Sequence, residues 1–271
     1  AMQYGPGAEN AFSGVATAYS DSVPILVLPL GHPRERHGIY PHFNSLKVYE
    51  PITKSAEAVN TPDRISEIMR RAFNSLRVGR PGPVLVEVPA DIAGEEVDEV
   101  SFDYRPIKAA RAGADPRDVD EAARVLVGAS APIINAGQGV LYAEATGELL
   151  QLAELLQVPV LTTLEGKSAF PEDHSLSLGT GSGTATGPVV HFVRKADVVM
   201  GIGSSFTRHG MNMTFPDGKV MIQATNDPRD LNKDYIIDYP TLGRFIYGNK
   251  CEKTLKIFWS TEIYMVSFVM I

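Results

Sequence analysis

Short, continuous apolar runs alternate with stretches of helical periodicity, and they do so twice along these 271 residues. That rhythm constrains the fold more than any single motif. Runs such as VPILVLPL (23–30) and VLVEVP (84–89) are bounded by turn residues and offer no polar face to water. They satisfy both faces as parallel strands covered by helices on either side. The helical partners are legible too. Residues 10–19 are small and alanine-rich and follow the glycines of YGPGAEN. Residues 62–78 place Ile65, Ile68, Met69, Ala72, Phe73 and Leu76 at helical spacing behind Thr61, a candidate cap. From 90 to 115 the pattern dissolves into acidic residues, alanine and FDYRPIKAARAGADP, which reads as a linker. A second alternation follows, with helices at 118–127, 143–156 and 187–195. Its four strands are expected at 131–140, 158–163, 197–206 and 219–227, the first and third ending on glycines. The expected fold is α/β, with two doubly wound parallel-sheet domains at 1–100 and 117–245, a linker at 101–116 and a tail at 246–271.

Charge and composition narrow the partners. Lys and Arg number 25 against 32 Asp and Glu, a net charge of −7, so the chain offers no basic stripe for nucleic acid. The lone Cys251 excludes an internal disulfide and a cysteine-rich zinc site, which fits a cytoplasmic protein. No apolar run reaches the roughly 18 residues of a membrane span. The tail departs from the rest: it is apolar and aromatic, holds Cys251 and Trp259, and follows the last alanine (Ala224) and the last arginine (Arg244). It reads either as appended sequence foreign to the fold, or as an element that covers an exposed edge or pairs with another chain in a homo-oligomer.

The glycines come first among candidate sites. GQG (Gly137 to Gly139) and GIG (Gly201 to Gly203) each close a strand, and Asp227 ends a third. Ligands of open parallel sheets bind at the carboxyl ends of strands, where free N–H groups can cradle phosphate; the plainer reading is two tight turns. HPRERHGIYPH (32–42) gathers His32, His37 and His42 beside Arg34 and Arg36. It reads as a solvated loop or as an anion or carboxylate site. The chain contains no GxSxG elbow, no HExxH and no P-loop, since EGKSAF lacks the upstream glycine.

Several segments occur together in a telling order: GPGAENAFSGVATAYSDSVPILVL, KVYEPITKSAEAV, RPGPVLVEVPADI, INAGQGV, PVLTTLEGKSAFPEDHSLSLG, ADVVMGIGSSF and TNDP. They resemble the thiamine-diphosphate-dependent enzymes, and the acetolactate synthase group most. The resemblance runs over about residues 3–242 and covers the later half of a pyrimidine-binding domain, which is therefore incomplete, and a central domain. It implies a parent reaction that makes or breaks a carbon–carbon bond on a 2-oxo acid, with thiamine diphosphate and Mg2+. It also implies that the catalytic glutamate and the GDG-and-asparagine segment for diphosphate and Mg2+ lie outside these residues. The chain then reads as truncated at both ends and inactive alone. Asn10 matches a position that approaches the pyrimidine ring from a partner subunit. Central domains of some relatives hold FAD, and the matching segments are Gly137 to Gly139, Thr163 to Gly166, Gly201 to Ser205 and Asp227, with Arg208 near an arginine of flavin binders. Two alternatives stand beside this reading. One is a non-catalytic binding or assembly module; the other is an unrelated hydrolytic activity using Ser204, Ser205, His209 and Asp227.

Overall fold

The computed structural model describes residues 1–97, 105, 106, 108 and 112–243; the tail, with residues 244 and 245 before it, and half of the expected linker lie outside them. The chain is α/β and divides into two units, Ala1–Ala110 and Arg111–Ile271, each built on a parallel sheet.

In the first unit the order is α1 (Pro6–Ser20), β1 (Leu26–Val27), β2 (Leu30–Gly31), α2 (Ser45–Tyr49), β3 (Ala56–Ala58), α3 (Ile65–Arg77), β4 (Val84–Pro89) and α4 (Ala90–Ala93). β4 is central. β1 and β2 pair with it in one continuous register, Leu26 opposite Val84 and Leu30 opposite Val88, and β3 pairs along its other edge. The run expected as one strand at 23–30 is thus split at Pro29. Its carbonyl accepts from Val88 N–H at 3.0 Å, but it has no N–H to return to the ladder. Successive β4 side chains point to opposite faces. Val84 and Val86 pack with Ile68 and Ala72 of α3, whereas Leu85 packs with Ala8 and Val15 of α1 and Tyr49 of α2.

Two helix starts differ from expectation. α1 begins at Pro6, four residues ahead of Asn10, because Gly5 takes the turn alone at φ 62° and Pro6 fits the first helical position. Thr61 caps nothing with its side chain. A short 3-10 turn (Pro62–Arg64) precedes α3, and the Thr61 carbonyl accepts from Arg64 N–H at 3.2 Å.

The second unit runs α5 (Pro116–Gly128), β5 (Pro132–Ala136), α6 (Gln138–Ala143), α7 (Thr146–Leu156), β6 (Val160–Thr162), β7 (Ser177–Thr180), α8 (Gly187–Lys195), β8 (Val198–Ile202), β9 (Val220–Thr225) and β10 (Tyr239–Leu242). The sheet order is β10-β9-β8-β5-β6-β7, parallel throughout. Counted along the chain, this is the doubly wound order of dinucleotide-binding sheets, and the winding reverses between β5 and β8. The expectation of four strands is corrected to six, the additions being the two edges, β7 and β10. The helix expected at 143–156 starts at Thr146, and the strand expected at 131–140 ends at Ala136, its last residues instead opening α6; Glu144, at a left-handed φ of 58°, separates α6 from α7.

Asp115 caps α5: its carboxylate accepts the Arg117 N–H at 2.9 Å, and the Arg117 guanidinium holds its pKa down at about 2. A carboxyl held below its unfolded value stabilises the fold above pH 4 and loses that contribution as pH falls toward 2. Asp115→Ala should therefore lower the melting temperature by about 2–4 °C at pH 7. Calorimetry should find the gap shrinking toward pH 2; a gap that persists there would discard the charge-assisted cap.

Candidate functional site

The reversal between β5 and β8 is where an open sheet of this order parts its loops, and three of the singled-out glycines meet there. Gly137 and Gly139 follow β5 and Gly203 follows β8, and the two loops touch backbone to backbone. Gly137 N–H donates to the Ile202 carbonyl and Gly139 N–H to the Gly203 carbonyl, both at 2.9 Å. A Cβ on Gly137 would lie 2.2 Å from the Gly203 oxygen, and one on Gly203 would lie 2.7 Å from the Gly139 Cα. The loop after β6 joins the same crest: a Cβ on Gly166 would lie 2.5 Å from the Ala136 oxygen, and Gly166 N–H donates to Thr163 Oγ1 at 2.9 Å. Four glycines are therefore accounted for by the close approach of three loops. The N–H groups of Gly137 and Gly139 are already committed within it.

Gly201 and Asp227 stand apart from that knot. Gly201 lies inside β8, where a Cβ would strike the Phe206 ring at 2.4 Å, so its bareness seats an aromatic side chain. Asp227 follows β9, is buried, and holds the Arg229 guanidinium at 2.7–3.1 Å while capping the Arg229 N–H at 3.0 Å. Arg208 is engaged too: its guanidinium lies 4.3 Å over the Tyr235 ring and 4.0 Å from Asp217.

Beneath the crest lies a polar node that periodicity did not single out. Asn135 of β5 donates to Ser204 Oγ at 3.0 Å, and Gln223 of β9 donates through Nε2 to the Ser204 carbonyl at 3.0 Å. All three are buried, and Gln223 Oε1 has no protein partner. The available signal was one side-chain amide inside each of the apolar runs PIINA and VMIQAT.

The hydrolytic candidates do not form a relay. Ser205 Oγ bonds Thr207 Oγ1 at 2.8 Å, His209 Nδ1 accepts from Met211 N–H at 3.4 Å, and Asp227 serves Arg229. In the first unit Asn10 is exposed on α1. Arg34 is paired with Asp91 at 2.6 Å and with Glu95, which removes it as an open anion group. Among the described residues no three His, Cys, Asp or Glu groups converge to hold a metal, and no helix is long and apolar enough to cross a membrane.

Comparison with known proteins places this geometry. Residues 119–246 match the family described as "Thiamine pyrophosphate enzyme, central domain". Over 250 residues the chain is 35% identical to a protein of Methanocaldococcus jannaschii named "Probable acetolactate synthase large subunit", covering 88% of this chain and 42% of that one. It is 32% identical over 237 residues to the "Glyoxylate carboligase" of Escherichia coli, covering 84% of this chain and 40% of that one. Benzoylformate decarboxylase from Polynucleobacter necessarius superposes on 89% of this chain and 46% of its own, with a TM-score of 0.75 at 22% identity, a likeness of fold. The chain thus spans about two-fifths of the length of these curated relatives.

Proposed function

The chain belongs to the thiamine-pyrophosphate-dependent enzyme family, in its acetolactate-synthase-like branch, and from that membership we propose its role. Its two units are the later part of a pyrimidine-binding domain and the central domain of an enzyme that makes or breaks a carbon–carbon bond beside the carbonyl of a 2-oxo acid. The observation that supports this best is one alignment spanning 88% of the chain, which takes in both units. Thiamine diphosphate, when bound with Mg2+, supplies the nucleophilic carbon and the electron sink for such a reaction. The contribution of this chain is positional. Asn10, exposed in the second turn of α1, serves a pyrimidine ring held across a subunit boundary, so the working assembly is a homo-oligomer; its place is the cytoplasm. The glycine crest and the Asn135–Ser204–Gln223 node keep the central sheet rigid. FAD is left out of the proposal, because Asp227 and Arg208 are engaged by Arg229 and Tyr235.

These 271 residues contain no GDG segment to hold the diphosphate and Mg2+. Assayed alone with thiamine diphosphate, Mg2+ and pyruvate they should show no turnover, since losing even one positioned acid–base group costs about 10²- to 10⁴-fold. Cofactor-dependent turnover by the purified chain would overturn that expectation. The decisive experiment is a chimera in which residues 1–243 replace the matching stretch of the Methanocaldococcus jannaschii relative. Cofactor-dependent consumption of a 2-oxo acid supports the proposal. A folded, oligomeric and inert chimera favours a binding or assembly module instead.

A further inference from the structure

His174 makes two hydrogen bonds that fix where its proton sits. Nδ1 accepts the Leu176 N–H at 3.2 Å, which leaves the proton on Nε2, 3.3 Å from Glu154 Oε1 of α7. The ring is partly buried and lies edge-on to the core side chain Phe170 at 5.3 Å. The peptide it serves opens the pairing of β7 with β6. The Leu176 carbonyl accepts the Val160 N–H at 2.9 Å, and the Ser177 N–H donates back to the His174 carbonyl at 2.9 Å. β7 has little else to hold it: it is a sheet edge without a fully buried residue, and its register with β6 slips between Val160 and Leu161. Beyond β7 the chain makes a strap. Gly181 N–H donates to the Thr162 carbonyl at 2.8 Å and Gly183 N–H to the Met211 carbonyl at 3.0 Å, and Ser182 bridges Asn212. Because β6 and β5 stand between β7 and β8, the loops after β7 and β8 must between them span the ends of both. The strap therefore runs along the carboxyl edge, where open parallel sheets take their ligands.

We propose that His174 is an acid-released latch for this strap. An imidazolium carries two donors and no acceptor, so no rotamer of it can receive the Leu176 N–H. Protonation strands that N–H beside a second donor. The compensating charges are weak. Glu154, which faces the ring from α7, is about half exposed, and an ion pair there gains little. In the turn that carries the ring, Glu172 is taken by Lys167 at 3.2 Å and Asp173 is exposed; Phe170 offers no charge. The latched state thus holds one proton fewer than the released one, and its advantage grows with pH by at most about tenfold per unit. Release frees β7 and uncovers the carboxyl end of β6, where the Thr162 and Thr180 hydroxyls pair at 3.3 Å. The latch stands on the second unit alone and does not depend on the reaction proposed for the chain.

The test is amide hydrogen exchange of the 271-residue protein, read residue by residue by NMR from about pH 7.5 to 5.5, the range in which imidazoles gain charge. Rates are corrected for the intrinsic pH dependence of exchange. Protection at Leu176, Gly181 and Gly183 should fall at least about tenfold at the acid end, while Gly137 and Gly139 in the crest keep theirs. His174→Asn retains an acceptor that does not titrate, so its protection should stay level with pH. His174→Leu offers no acceptor and should leave the same amides equally unprotected at both ends. Parent protection that does not change with pH overturns the latch, as does an acid loss that persists in His174→Asn. A loss that includes Gly137 and Gly139 reports unfolding of the whole unit and overturns it as well. Should His174→Leu fail to fold, the parent and His174→Asn decide between them.

Discussion

Alanine at position 137 should cost the second unit more than about 3 kcal/mol, enough to leave it largely unfolded if its stability is ordinary. Backbone strain is not the cause, because Gly137 has a φ of −100°, which any residue adopts. The cause is space. The new Cβ would lie 2.2 Å from the Gly203 oxygen and 2.6 Å from the Ser204 Cα, both backbone atoms without a flexible end to give way. One loop must withdraw, and the bonds from Gly137 N–H to Ile202 and from Gly139 N–H to Gly203 go with it, each worth about 1 kcal/mol. Gly147 supplies the control. It is exposed in the first turn of α7 with nothing within 4 Å of its added Cβ, so alanine there should stabilise by about 0.5–1 kcal/mol. Urea melts of the two variants should move in opposite directions. A Gly137→Ala protein that melts like the parent would mean that the loops are not in contact.

The elements legible in the sequence were those buried on both faces. β4, β5, β8 and β9 fall within their apolar runs because no residue there is required to meet water, and α8 occupies the span its periodicity marks. The missed strands are the sheet edges. β7 has no fully buried residue and contains Gly179 at φ 86°, and β10 buries only Thr241 and carries Pro240, a residue that edges tolerate and interiors do not. The two halves of one apolar run, β1 and β2, looked continuous because hydropathy does not record the donor that Pro29 lacks. The strand order was not legible at all. It depends on which side each crossover turns, and no local pattern encodes that.

The candidate site shows the same division. Glycine was marked wherever it ended a strand, and Gly137, Gly139 and Gly203 do converge at the crest. Yet the same letter carries different physics at Gly201, which is bare to admit a ring rather than a loop. Asn135 and Gln223 went unmarked because a single side-chain amide leaves an apolar run looking apolar. Their importance appears only once β5 and β9 flank β8 and bring both amides to Ser204. The histidine cluster was visible as a concentration of side chains in one loop; its convergence, with the His42 ring centroid 4.9 Å from that of His32 and 5.2 Å from that of His37, required the fold.

Gly201 and Phe206 supply the second large effect, and they should behave as one unit. Phe206 is buried, its ring lies on the bare backbone of Gly201, and it meets Phe215 and Tyr235 edge-on at 5.6 and 5.9 Å. Phe206→Ala should cost about 3–5 kcal/mol, because a hole lined by two other aromatics and a strand cannot collapse. Gly201→Ala should be costly for the opposite reason. Its Cβ would lie 2.4 Å from the ring, and displacing that ring disturbs both edge contacts, for about 1–3 kcal/mol. In the double variant the methyl group enters the space the ring has left, so the second substitution should cost less than it does alone. A coupling of at least about 1 kcal/mol is expected from a double-mutant cycle measured by chemical denaturation. Strict additivity would mean that the ring does not rest on Gly201, and the glycine of β8 would again need a ligand, rather than a side chain, to explain it.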